Sequence, residues 1–235
     1  MTKSSLNLEN IERSLSIARL STYRKLTNSL DAALALYGYN TRLTKEFFLC
    51  IQVCEVVVRN AVSEAIVKVH GNDWAWQSGF FATLPNPNKG YNSRENIAKA
   101  RHNQKDINNV IPELNFVFWQ LMFTSRHDKQ LWIPHIQNVF PNADDVDKKE
   151  LRESLHNDLN QIRRLRNRIA HHEPIFNENL VNIYEKIIKI IAYRCHDTAN
   201  WLQTHQEVTT LLTDKPTLTH KPLRRTHDKP QTHPN

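Results

Sequence analysis

The chain has 235 residues, a formal net charge of +7, four glycines and three cysteines. Such a length can bury a real core in one domain, and an odd cysteine count without CxxC spacing makes a poor disulfide framework and shows no zinc-like pairing. No apolar run nears the roughly 20 residues of a membrane span, and MTKSSLNLENIERS lacks the apolar centre of a signal peptide, so a reducing, cytoplasmic setting without membrane is expected.

The four glycines (Gly38, Gly71, Gly79 and Gly90) read as breaks between long apolar periodicities, which predicts an all-α protein. Residues 8–37 read as one or two helices, ended by YGYN. The strongest helical signal covers 43–70, where Phe47, Cys50, Ile51, Cys54, Val58, Ala61, Val62, Ala65 and Val69 recur at three- and four-residue spacing. Val56 and Val57 leave this helix little polar face, which places it centrally in a bundle. Asn92 and Glu95 suggest a capping box for a short basic helix to about residue 106, and Pro112 suits the first turn of a helix through PELNFVFWQLMF. Another short helix or turn is expected at 128–139, a charged helix at 146–172, and one long helix at 177–213.

From Asp214 onward the composition turns to Pro, His, Thr and Lys, and five Lys/Arg against two Asp give this tail +3, leaving +4 for the body. Such a segment has too little apolar area to offset its ordering entropy, so a domain over 1–213 and a disordered tail over 214–235 are expected. The mild charge of the body permits a nucleic-acid partner without demanding one.

The helix at 146–172 carries the chemistry. At about 100° per residue, Leu151, Leu155, Leu159, Ile162, Leu165 and Ile169 form one core-facing sector. Arg166 lies inside the edge of that sector and is expected to point partly inward. His171 projects about 140° away from it, while Asn167 and His171 share a face at i, i+4. From Leu159 to His172 the stretch holds Arg163, Arg164, Arg166 and Arg168 and no acid. On the central helix, Glu55 falls among Ile51, Val58, Val62 and Ile66, where a carboxylate needs a cation. Arg59 at i+4 and Arg166 are the expected partners, and a pair that merely fixes helix packing satisfies the same pattern. Phe116, Phe118, Trp119 and Phe123 read as core rather than as base-stacking platforms, and Trp74 and Trp76 as packing caps. Lys99, Arg101, His102 and Lys105 form a basic patch, either a solvated face or a track for an RNA backbone.

RNRIAH fits the Arg-x(4–6)-His signature of HEPN domains. LRNRIAHHEPIF, IPELNFVFWQLMF with LWIPHIQNVFP, and CEVVVRNAVSEAIVKVHGNDW resemble, in order, the C-terminal, middle and N-terminal blocks of the abortive-infection Abi-like family. The resemblance covers most of residues 45–180. It implies a HEPN-like helical bundle that forms a homodimer with both Arg-His motifs at one cleft, and a metal-independent endoribonuclease of phage defence or of a toxin–antitoxin system. By position it implies Arg166, Asn167, His171 and His172 as catalytic residues; Glu55, Arg59 and Asn60 on the central helix are the expected supporting network. Arg163, Arg164, Arg168, Lys99, Arg101 and Lys105 are the expected RNA contacts. No cofactor or metal is implied; RNA is the substrate, and an RNA or protein antitoxin is a further expected partner. A non-catalytic module that clamps RNA or a nucleotide, and a purely structural partner, are the competing readings.

Overall fold

In the computed structural model, residues 6–216 and 218 are described, and among them no strand forms. The chain is all-α. Its helices are α1 (Leu8–Leu15), α2 (Ile17–Arg24), α3 (Leu30–His70), α4 (Ser78–Thr83), α5 (Ser93–Ala100) and α6 (Ile107–Val110). There follow α7 (Phe116–Leu121), α8 (Ile133–Val139), α9 (Lys148–Ala170), α10 (Leu180–Arg194), α11 (His196–His205) and α12 (Val208–Thr213). No helix among the described residues is long and apolar enough to cross a membrane.

The central helix is longer than its apolar pattern suggests. α3 runs for 41 residues, from Ser29, whose hydroxyl accepts the Ala32 N–H at 3.1 Å, to Gly71 at φ 81. It passes straight through YGYN, with Gly38 inside it. A mid-helix glycine costs roughly 0.5–1 kcal/mol, but the neighbouring residues are anchored from outside. Tyr39 is buried and its hydroxyl donates to the Leu211 carbonyl at 3.0 Å. Buried Asn40 accepts the backbone N–H groups of Ile175 (2.8 Å) and Phe176 (3.3 Å). Tertiary bonds of this kind outweigh a weak local propensity. The rest of the molecule wraps this rod: α2, α7, α8, α9, α10 and α12 all pack on it.

Other boundaries differ for equally local reasons. The basic helix expected to reach about residue 106 stops at Ala100, and half of its expected capping box is in place: Asn92 accepts from Arg94 N and Glu95 N, without the return bond from the Asn92 N–H to the Glu95 carboxylate. Pro112 sits in a 3₁₀ turn, Ile111–Glu113, and extended backbone at Leu114 separates it from α7. The long helix expected at 177–213 is three helices. At its first break, Asn142 donates to the Ala192 and Tyr193 carbonyls at the end of α10, and Cys195 turns to extended backbone. The segment 128–139 is a wide π-type turn at Asp128–Trp132 leading into α8. The tail expected from Asp214 begins packed: Lys215 donates to the Phe176 carbonyl at 3.2 Å and Leu218 rests on the core. The remainder of that tail lies outside the described residues.

Phe116, Phe118, Trp119 and Phe123 are core residues, as the pattern predicts, and Trp74 is buried with its indole N–H donating to Ser63. Beside them His127 is buried, and burial first, then the charges of Arg126 and His70, pushes its imidazole down to about 4. The unfolded chain takes up this proton near 6.5. Stability is therefore whole above pH 6.5 and falls as the pH drops from 6.5 towards 4, by up to about 3 kcal/mol. Urea unfolding at a series of pH values should show this slope in the native protein and lose it in His127→Phe.

Candidate active site

α9 starts on Asp147, whose carboxylate accepts from Lys149 N (2.9 Å) and Glu150 N (3.2 Å). Its apolar sector packs as projected: Leu151, Leu155, Leu159, Ile162 and Leu165 are buried and Ile169 is half-buried, with α3 as one of the neighbours. Asp158 is buried on the α10 side, held by Lys186 at 2.9 Å and Lys189 at 3.9 Å. This leaves the far end of the helix free of acids.

That end is a Schellman turn. The Glu173 N–H donates to the Arg168 carbonyl at 2.8 Å and the His172 N–H to the Ile169 carbonyl at 3.0 Å. His172 occupies the left-handed position, at φ 56, where helices usually place glycine. The apolar contact that commonly braces such a turn is replaced by charge: Arg168 meets Glu173 and Glu178, each at 3.2 Å, and donates to the Pro174 carbonyl. Arg19 of α2 closes the turn from the other side by donating to the His172 carbonyl at 2.7 Å. A cleft of about 340 Å³ opens there, lined by Ser16, Ala18, Arg19, Thr22 and Pro174.

The left-handed conformation costs an L-residue roughly 1–2 kcal/mol, and glycine loses part of that advantage through its freer unfolded chain. His172→Gly should therefore be neutral to stabilising by up to about 1 kcal/mol, whereas His172→Val should destabilise by more than about 1 kcal/mol. Thermal melts of the two variants give the check.

Around this turn Arg164, Arg166, Asn167, His171 and His172 are all exposed. Arg166 thus reaches solvent instead of pointing inward: a long stem can lie on apolar surface while its charged head stays hydrated. Glu55 is half-buried, a correction to its expected burial. Burial pushes its carboxyl up, and Arg166 first, then Arg59, draws it back down. The attraction acts across a gap, since Glu55 makes no direct ion pair with either guanidinium. Arg59 is half-buried with its Nε–H unpartnered, and Asn60 is exposed. Glu55, Arg59 and Arg166 thus form an electrostatic group rather than a closed network.

The other expected RNA contacts divide. Lys99 and Lys105 are exposed, but Arg101 donates to the Ala75 carbonyl at 2.8 Å and lies over the Phe81 ring at 5.2 Å. Arg168 is engaged by its own turn. Both guanidiniums hold the protein together, because a half-buried arginine takes the nearest carbonyls and carboxylates. Arg163 is half-buried and donates to Asn160 at 2.8 Å. Arg19 and Asn40 were missed by sequence reasoning, since each acts on residues more than 130 positions away. The Schellman turn was not legible, because its left-handed position holds His172 where glycine is the usual signal; Pro174 marked only that the helix must end before it.

The family model described as Abi-like protein matches residues 8–177 of the chain. The chain belongs to the Abi-like protein family. The match takes in α1 to α9 and ends just past the motif turn, so α10 to α12 of this Abi-like protein lie beyond it. Membership suggests a role in abortive infection defence. No curated protein and no solved structure matches the chain.

Proposed function

We propose that this Abi-like protein is a metal-independent endoribonuclease of the HEPN type, a homodimer acting in abortive infection or as the toxin of a toxin–antitoxin pair. The observation that carries the reading is the clustering of Arg166, Asn167 and His171, all exposed, at a helix end braced by Arg168 and Arg19. RNA brings its own nucleophile. The 2′-hydroxyl attacks the adjacent phosphorus as its proton passes to a base, the P–O5′ bond breaks, and an acid protonates the leaving oxygen. A histidine can take either proton role near neutrality, and an arginine offers a planar, always charged fork to the phosphorane oxygens. Asn167, on the His171 face, adds a neutral donor.

One helix end presents Arg166 and His171 about 140° apart, so a second copy supplies what the first turns away. Glu55 orients Arg166 by its field without occupying its donors. The test is expression of the protein and of His171→Ala, following growth and total RNA together, with cleavage repeated on purified protein in EDTA. Growth arrest with RNA decay that His171→Ala abolishes, from a dimer by light scattering, supports the proposal. RNA bound but left intact by the native protein replaces it with the phosphate-clamp reading.

A further inference from the structure

Between the directions of Arg166 and His171, α9 has an arc that neither side chain fills. At about 100° per residue, buried Leu159 and exposed Ala170 fall on its Arg166 side, and the rest is taken by Asn167, then Arg163, Asn160 and His156, each three or four positions further from the turn. The spacing 156, 160, 163, 167, 171 makes one continuous stripe, about 22 Å long from His156 to His171. Every member is a hydrogen-bonding side chain and none is acidic. Asp158, the one carboxylate from residue 156 to 172, is on the opposite face under its two lysines.

The stripe is built, not merely exposed. Gln120 of α7 is buried, and its side-chain amide lies 3.0 Å from His156 Nε2. An amide nitrogen only donates, so this ring nitrogen accepts and the imidazole proton sits on Nδ1, towards Asn157 Oδ1 at 3.5 Å. Burial holds this imidazole below its ordinary range, so it remains a neutral hydrogen-bonding group. Two turns on, Arg163 has one nitrogen on Asn160 while its Nε–H is buried with no acceptor. The guanidinium is half-buried and no carboxylate among the described residues pairs with it, so an anion that meets its solvent-facing part would supply the missing counter-charge.

We infer that the stripe His156–Asn160–Arg163 is a track for single-stranded RNA, carrying the backbone on one side of the scissile phosphate away from Asn167 and His171. The inference rests on the nuclease reading for its direction, and it names the substrate class: a strand long enough to reach several nucleotides beyond the cleaved bond. Arg163 is the phosphate anchor, Asn160 holds its fork, and Gln120 positions His156.

The test compares cleavage of a dodecamer RNA with cleavage of a dinucleotide by the native protein, Arg163→Ala and Asn160→Asp. The second variant keeps a partner for Arg163 and so protects the fold, while it places a carboxylate in the track. The preference for the dodecamer, as kcat/KM, should fall about tenfold in Arg163→Ala and at least as far in Asn160→Asp, and the slope of affinity against salt should lose about one ion. An unchanged preference in both variants, with His171→Ala inactive, overturns the track and leaves the nuclease standing. If the native protein cleaves neither RNA, fluorescence anisotropy decides. Dodecamer binding that Asn160→Asp weakens keeps the track and removes the nuclease; binding indifferent to it removes the track.

Discussion

His171→Ala is expected to slow RNA cleavage by about 10²–10⁴-fold, the usual loss when a general acid or base is removed. The reaction should run in EDTA and leave a 2′,3′-cyclic phosphate with a 5′-hydroxyl, because the 2′-oxygen rather than water attacks. RNA affinity should survive the change, since Arg163 and Arg164 remain to meet the backbone. Arg166→Ala should reduce turnover as well. It should also leave Glu55 short of its main attracting charge, so its melting temperature should drop modestly. His172→Ala separates the two neighbours. His172 serves the turn through its backbone, donating its N–H to Ile169 and accepting from Arg19, so the defect should be mild. Cleavage abolished by His172→Ala and spared by His171→Ala would move the chemistry by one residue. If neither substitution slows cleavage, the assignment fails.

Asn40→Leu is the largest stability change expected outside the apolar core. The substitution keeps approximate size but removes the acceptor that, among the described residues, alone serves two buried N–H groups, those of Ile175 and Phe176. Each unsatisfied buried donor costs about 1–3 kcal/mol, so the loss should reach about 2–5 kcal/mol in urea unfolding. The effect should extend to function. These two N–H groups follow directly on Pro174, and their bonds hold the exit of the motif turn against α3. Turnover should therefore fall even at temperatures where the variant stays folded. A loss below about 1 kcal/mol would show that this segment is held elsewhere, Lys215 on the Phe176 carbonyl being the obvious substitute.

The sequence by itself determined the class of fold, the core-facing sector of α9 and the identity of the charged stretch at its end. These follow from periodicity and composition, which are properties of neighbours three or four residues apart. The capping of α5 by Asn92 and the burial of the α7 aromatics were legible for the same reason. Only the tertiary structure decided what joins distant segments. YGYN reads as a break because Gly38 weakens a helix, and it is helical because Tyr39 and Asn40 bond to residues 172 and 135 positions away. Arg163, Arg166 and Arg168 look alike in the sequence, yet they have three fates. Arg168 locks the turn between two carboxylates, Arg166 stands in solvent within the field of Glu55, and Arg163 lies half-buried on Asn160. A guanidinium goes wherever the fold leaves an acceptor within reach of its long stem, and that is set by neighbours from other helices rather than by the residues beside it in the chain.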